Sequence, residues 1–156
     1  MNGSPLKYTV NNGYALINRQ WKKGDVIALD LPMPVRKIKA IDSVKVNRNR
    51  VALQRGPLVY CVEQPDNGTN FQNFIIPENA VFKAEYDKGM LNGIVKIKGA
   101  MPVIKPAVDG KGIKTGTEMI TAIPYYSWAN RGKSQMQVWL PTKIESIAIK
   151  TGGGGN

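Results

Sequence analysis

The sequence contains no histidine and a single cysteine, Cys61, among 156 residues. A lone thiol cannot close an internal disulfide, and a cysteine nucleophile usually needs a neighbouring base that helps to form the thiolate. Zinc sites usually draw on several cysteine or histidine ligands. Because Cys61 lies in an apolar run at residues 58–62 (LVYCV), we interpret it as a small buried hydrophobic residue. We therefore predict no cofactor and no metal site in this chain.

Long apolar runs are also scarce, and so are segments free of proline and glycine that are long enough to form a helix. No segment approaches the ~18 apolar residues that cross a bilayer, and no charged-then-apolar leader opens the chain, so we predict no membrane insertion. The 10 prolines and 16 glycines are spread through the sequence and leave few intervals for three helical turns. The best helical candidate is one short turn at residues 77–80.

Acidic residues are few relative to basic ones: 11 Asp and Glu stand against 22 Lys and Arg, for a net charge of +11. Such a surplus of positive charge is typical of proteins that bind nucleic acid, but no recognition helix, zinc module or aromatic RNA-binding signature accompanies it. The cations alternate with apolar residues, as on strands with one solvated face, so we predict no nucleic-acid binding. The surplus would also suit an acidic partner domain. The local concentration comprises Arg36, Lys37, Lys39, Lys45, Arg48, Arg50 and Arg55.

A two-residue hydrophobic period is present almost everywhere, as at residues 6–10, 27–31, 80–86 and 136–140. Turn-forming pairs such as Asn12-Gly13 and Asn92-Gly93 separate these runs. The pattern predicts an all-β fold, an antiparallel β-sandwich that is jelly-roll-like, over residues 1–150. We expect a long connection at about residues 64–79, a flexible glycine-rich tail at residues 151–156, and Trp21 and Trp139 in the core.

Two carboxylates lie close together in the sequence, Glu63 and Asp66, at the end of an apolar strand. Glycoside hydrolysis usually needs two carboxyl groups that flank the scissile bond. One hypothesis is therefore a self-standing glycosidase that uses this pair. Our preferred interpretation is a structural pair that bonds Arg55 or loop amides.

An aromatic segment supplies the other candidate site. Tyr125, Tyr126 and Trp128 have flat faces that can stack on a sugar, while Asn130 and Arg131 can bond hydroxyls or hold a carboxylate. These residues predict a carbohydrate-binding module with an oligosaccharide partner. Buried aromatics also dominate sandwich cores, so packing against a neighbouring strand or domain is the alternative, and the one we prefer.

Several motifs together resemble one family. They are residues 122–132 (AIPYYSWANRG), 136–141 (MQVWLP) and 49–67 (NRVALQRGPLVYCVEQPDN), preceded by Gly13-Tyr14, Arg19-Gln20-Trp21, Gly24-Asp25 and residues 31–34 (LPMP). In this order and spacing they resemble the C-terminal β-sandwich region of glycoside hydrolase family 127, the β-L-arabinofuranosidase-like proteins formerly filed as a domain of unknown function. The likeness runs from about Gly13 to Pro141.

This resemblance implies a non-catalytic, structural β-sandwich of a larger hydrolase that acts on plant glycans. The family's cysteine nucleophile and zinc cluster are carried by an upstream (α/α)6 barrel, so no catalytic residue is carried over, and Cys61 is not that nucleophile. We expect the barrel as a partner in cis, zinc in that barrel, and a sandwich truncated at its N-terminal edge. An edge exposed in this way would also allow a homodimer.

Overall fold

The computed structural model describes residues 1–107 and 112–147, so the predicted tail at residues 151–156 lies outside the described residues. The chain divides into two compact units, Met1–Pro32 and Met33–Asn156. The predicted extent of one domain, residues 1–150, stays a prediction because its C-terminal limit is not among the described residues.

The first unit is built on a small hairpin. β1 (Thr9–Asn11) pairs antiparallel with β2 (Tyr14–Leu16). Asn12 and Gly13 join them with φ values of 49° and 82°, which a two-residue hairpin turn of the type I′ class requires at both positions. This predicted turn is confirmed.

Two predictions for the first unit are wrong. Residues 27–31 form no strand, although they alternate apolar and polar side chains. A strand needs a neighbour for its backbone groups, and no ladder pairs with this segment among the described residues. Trp21 is 52% exposed rather than in the core; the guanidinium of Arg19 lies 5.6 Å from its ring centroid and packs over it.

The second unit contains an antiparallel sheet that curls into a half-barrel. Its strands are β3 (Val35–Ile38), β4 (Arg50–Arg55), β5 (Leu58–Glu63), β6 (Lys83–Asp87), β7 (Ile94–Pro106), β8 (Ile113–Pro124), β9 (Met136–Gln137) and β10 (Leu140–Pro141). The sheet order is β10-β4-β5-β8-β7-β6, β3 pairs with β4, and β9 pairs with β5. The predicted all-β, antiparallel fold is confirmed.

Helical structure in the described residues is confined to single turns. The segment at residues 77–80 is a turn, closed by a bond from the Ala80 amide to the Pro77 carbonyl at 3.1 Å. The helical turns are α1 (Gln64–Asn67) and the 3₁₀ turns Lys45–Asn47, Phe71–Asn73, Tyr125–Ser127 and Ile144–Ser146.

The core lies on the sheet and is completed by the connection between β5 and β6. This connection starts with α1 and then crosses β7, where the Ile75 amide donates to the Pro102 carbonyl at 2.9 Å. Phe71, Phe74 and Ile76 are almost fully buried and pack with the apolar side chains of the strands in one cluster. The other main contributors to this cluster are Val51, Leu53, Tyr60, Val62, Ile97, Met101, Val103, Ile120, Ala122 and Leu140.

Candidate functional site

The aromatic segment begins where β8 ends. Pro124 closes the strand, and the chain turns at once into the 3₁₀ turn Tyr125–Ser127. Ser127 is buried, and its hydroxyl donates to the Pro124 carbonyl at 2.6 Å, while the Trp128 amide donates to the Tyr125 carbonyl at 3.1 Å. These two bonds fix the turn from inside, so the neighbouring aromatic side chains point outward.

Tyr125 and Trp128 form what we call the aromatic pair. Their ring centroids lie 6.5 Å apart and their planes differ by 9°. This offset, near-parallel geometry is favourable for two π-systems. Tyr125 is 47% exposed, Trp128 38% and Tyr126 66%, so the three side chains lie on the surface of the described chain and not in its core.

Tyr126 lines a shallow cleft of about 390 Å³, here named the Tyr126 cleft. Asn130 and Ser127 line the same cleft, and its opposite wall is the turn before β7 at residues 91–94. Leu91 and Asn92 in that turn have positive φ values of 50° and 64°. The cleft therefore joins a flat aromatic face to a side-chain amide and a tight polar turn.

Behind this surface lies a group that we call the ion cluster: Glu63, Asp66 and Arg131. Arg131 Nη2 donates to Glu63 Oε2 at 2.6 Å and also to Asp66 Oδ2, while Nη1 donates to Asp66 Oδ1 at 2.8 Å. Glu63 is 1% exposed, and its Oε1 accepts the Ala129 amide at 2.9 Å. The hydrogen bonds that the Arg131 guanidinium donates, first to Asp66 and then to Glu63, raise its pKa.

This geometry corrects the expected partner of the carboxylates and weighs against the glycosidase hypothesis. The arginine that they bond is Arg131 and not Arg55, whereas the predicted loop amide is present as that of Ala129. A general acid must hold a proton ready for the leaving group. Glu63 and Asp66 instead accept N–H bonds from one shared guanidinium, and Glu63 is closed off from solvent.

The five residues predicted as ligand-binding therefore separate into two groups. Tyr125, Tyr126, Trp128 and Asn130 are exposed beside one another, but the Nη atoms of Arg131 donate inward to the ion cluster. Sequence reasoning missed the wall of the Tyr126 cleft at residues 91–94. Its only signal was the turn pair Asn92-Gly93, which gives no indication of what the turn faces.

Cys61 is confirmed as a buried small residue. It is free and 1% exposed. Burial, with a smaller contribution from the charge of Glu63, raises the pKa of the thiol to about 12, so it carries no thiolate near neutral pH. In the described part of the chain no three His, Cys, Asp or Glu side chains are grouped so that they could hold a metal ion. The described helices include none with the length and apolarity that a membrane crossing needs.

Comparison with known proteins decides the family. Residues 35–141 match the glycoside hydrolase family 127 C-terminal domain. The chain belongs to glycoside hydrolase family 127. Residues 1–33 match the middle domain of this family of β-L-arabinofuranosidases, so the boundary between the two matches coincides with the division between the two compact units.

Relatives in the family share this architecture and extend well beyond it. The chain is 30% identical to a non-reducing end β-L-arabinofuranosidase of Bifidobacterium longum subsp. longum over 89% of its length, but spans 23% of that protein. A solved GH127 β-arabinofuranosidase superposes with a TM-score of 0.84 at 38% identity, over 94% of this chain and 23% of the other. A GH127 β-L-arabinofuranosidase from Geobacillus stearothermophilus T6 superposes with a TM-score of 0.66 at 40% identity, over 70% and 18% respectively.

Proposed function

We propose that this chain is a non-catalytic, structural β domain of a larger GH127 β-L-arabinofuranosidase that acts on plant glycans. The main observation behind this proposal is the ion cluster. Arg131 forms salt bridges with both Glu63 and Asp66, the carboxylate pair that the sequence suggested for glycoside hydrolysis. The lengths support the same proposal, since the chain spans about a quarter of the relatives that it matches. On this proposal the domain contacts a catalytic barrel in cis, and any zinc is held in that barrel.

A complementation experiment tests this proposal. The 156-residue chain and the remainder of its parent enzyme are produced separately, mixed, and assayed on an aryl β-L-arabinofuranoside. We expect the two parts to co-purify, the mixture to gain activity or thermal stability over the remainder alone, and the chain alone to show no turnover. Turnover by the chain alone that a Glu63→Gln substitution abolishes would establish the self-standing glycosidase instead.

A second function, neutral-sugar binding, is favoured by the exposed aromatic pair beside the Tyr126 cleft. Stacked rings on a surface offer an apolar plane for the C–H face of a sugar, and Asn130 offers an amide for its hydroxyls. Calorimetry with a neutral arabino-oligosaccharide tests it. We expect saturable heat that Tyr126→Ala and Trp128→Ala each weaken about tenfold or more.

The matched control for this titration is Tyr14→Ala, since Tyr14 is an exposed tyrosine (73%) on β2. It should leave both folding and any sugar binding unchanged. If the chain gives no heat with the neutral sugar, or if all three variants weaken binding equally, the aromatic pair is not a sugar site.

A further inference from the structure

A second and larger cleft, of about 710 Å³, lies on another part of the second unit, and we call it the basic cleft. It opens between the residues that follow β3, the start of β4, and segments 76–78 and 142–143. Five cationic side chains line it, against two acidic ones, Asp42 and Glu78. The cations are Lys37, Lys39, Arg48, Arg50 and Lys143.

Two of these cations hold the walls together. Lys37 Nζ donates to the carbonyls of Pro77, at 3.4 Å, and of Glu78. Arg50 donates through Nη1 to the Trp139 carbonyl at 3.2 Å and through Nη2 to the Ser146 carbonyl at 2.7 Å. Because each cation ties a strand to a distant segment, the cleft is formed before any ligand arrives, and little ordering entropy is lost on binding.

The other three cations, Lys39, Arg48 and Lys143, are exposed. Within residues 1–107 and 112–147, none of them makes a side-chain hydrogen bond or an ion pair. A concave surface on which one sign of charge predominates, here five cations against two acids, focuses the field and raises the local concentration of counter-ions. Among the described residues, these three side chains therefore have no acceptor, and they surround a preformed depression.

The remaining lining is mixed in character. Ile41 is 73% exposed and Val44 38%, so an apolar lip borders the opening. Asn47, Asn49 and Thr142 supply amide and hydroxyl groups. A ligand that matches this lining combines carboxylates, hydroxyls and an apolar C–H face. The volume of the cleft falls within the roughly 300–1,000 Å³ that is typical of small-ligand sites. No aromatic side chain lines the basic cleft, so base stacking of single-stranded nucleic acid has no platform here.

We propose that the basic cleft binds an acidic oligosaccharide, one in which uronate carboxylates engage Lys39, Arg48 and Lys143. The carboxylates would accept hydrogen bonds from these three cations, and the pyranose C–H face would pack on the apolar lip. Only the choice of a saccharide rests on the proposed function in a glycan-degrading enzyme; the anionic character rests on the cleft itself. The site is separate from the aromatic pair and takes a different class of sugar.

The test is calorimetry on the full chain at about 50 mM salt, where surface electrostatics are weakly screened. The probes are tetragalacturonate, neutral arabinotetraose and a tetraglutamate peptide. We expect tetragalacturonate to bind, and the triple variant Lys39→Gln, Arg48→Gln, Lys143→Gln to weaken that binding about tenfold or more. The control triple variant Lys83→Gln, Lys88→Gln, Lys133→Gln removes the same charge from exposed positions that do not line the cleft, and it should bind as the unaltered chain does.

Three outcomes of this titration would overturn the proposal. Equal weakening in both triple variants would mean that net charge alone attracts the probe. Tetraglutamate binding as tightly as tetragalacturonate would identify an acidic protein segment as the occupant, and no binding of tetragalacturonate would remove the site. Tyr126→Ala should leave tetragalacturonate binding intact. The proposed function is tested separately, by complementation and by arabinotetraose binding, so the proposal for the basic cleft can fail while the proposed function stands.

Discussion

Ala129 shows at the scale of single residues what the ion cluster does. Its φ of 63° lies in the left-handed region, which costs a residue with a Cβ about 1–2 kcal/mol. The amide of the same residue donates to the buried carboxylate of Glu63, and Arg131 two positions later engages that carboxylate as well. The strained turn after the aromatic pair is therefore stabilised from beneath by charge-assisted hydrogen bonds.

Arg131→Met tests this arrangement. The substitution keeps the stem of the side chain but leaves Glu63 buried at 1% exposure without its cation, which is far more costly than the loss of a surface ion pair. Because the Arg131 side chain is itself 26% exposed, we expect a loss of about 2–3 kcal/mol in the free energy of unfolding, below the full cost of breaking a buried pair. Urea unfolding followed by tryptophan fluorescence measures it.

Lys133→Met is the matched control, since Lys133 is an exposed cation two residues away, and we expect a change within about 0.5 kcal/mol. Arg131→Lys should recover only part of the loss because an ammonium group cannot bond both carboxylates in the planar geometry of a guanidinium. If Arg131→Met and Lys133→Met unfold at the same urea concentration, the cluster does not stabilise the turn.

Sequence reasoning brought together two of the three members of this cluster. Glu63 and Asp66 are three residues apart at a strand end, so their proximity follows from local geometry. Arg131 lies 68 residues from Glu63, and the pairing of β5 with both β8 and β9 brings the two together. The exposure of Tyr125, Tyr126 and Trp128 was equally hidden, since an aromatic run of this kind is compatible with a core corner and with a surface.

Among the elements, the hairpin of β7 and β8 dominates the second unit. Its ladder runs without a break from Ile97 paired with Ala122 to Pro106 paired with Ile113. Both strands are long, since β7 has 13 residues and β8 has 12. Gly99, Pro102 and Gly116 interrupt the hydrophobic period, and the strands persist because each lies in a paired ladder and packs on the core.

Two glycines in this hairpin give a matched pair of substitutions. A Cβ on Gly99 would lie 2.8 Å from the Val81 carbonyl oxygen and 2.7 Å from Met101 Cε, so the backbone itself would have to shift. We expect Gly99→Ala to destabilise the chain by about 1–3 kcal/mol through overpacking. Thermal unfolding by circular dichroism measures the effect.

On β8, replacing Gly116 with alanine places the new Cβ close to no other atom. A Cβ on Gly116 would find its nearest neighbour, Val103 Cγ1, at 3.9 Å, which is an ordinary contact. Gly116→Ala should therefore be neutral or stabilise by about 0.4–1 kcal/mol, because alanine has fewer unfolded conformations to lose. A Gly99→Ala variant as stable as Gly116→Ala would show that the close approach at Gly99 relaxes without cost.

The whole molecule is organised as two units, and an exposed segment runs across the boundary between them in the sequence. Residues 26–34 are exposed and carry no regular structure. Ile27, Leu29 and Leu31 are 47%, 78% and 68% exposed. Exposed backbone of this kind is a preferred site of proteolytic nicking, whereas paired strands resist it.

Limited digestion with thermolysin, which cleaves before large apolar residues, should first cut within residues 27–31 and leave β4 and β5 intact. Mass spectrometry of the earliest fragments locates the cut. A variant with Ile27→Ser, Leu29→Ser and Leu31→Ser should survive longer at the same protease concentration. A first cut inside β4 or β5 would contradict the division into two units.

At the scale of the whole molecule, the sequence predicted the family, because its motifs extend over nearly the whole chain. It predicted the fold class because the two-residue hydrophobic period recurs between turn-forming residues. It did not predict the first unit correctly at residues 27–31, where alternation is present but no neighbouring strand pairs with the segment. The basic cleft was also out of reach. Four of its five cations were recognised within a concentration of charge, but Lys143 was not. The cleft is completed by residues 76–78 and 142–143, which are distant in sequence.

The burial of Cys61 has a practical consequence for anyone who wishes to follow this domain in solution. The chain contains no other cysteine, and a thiol that is enclosed with a pKa of about 12 does not react with maleimides near neutral pH. A cysteine introduced at an exposed position such as Lys133 would then be the single reactive thiol. A fluorescent dye could be attached there, five positions after Trp128 in the chain, without first removing the native cysteine.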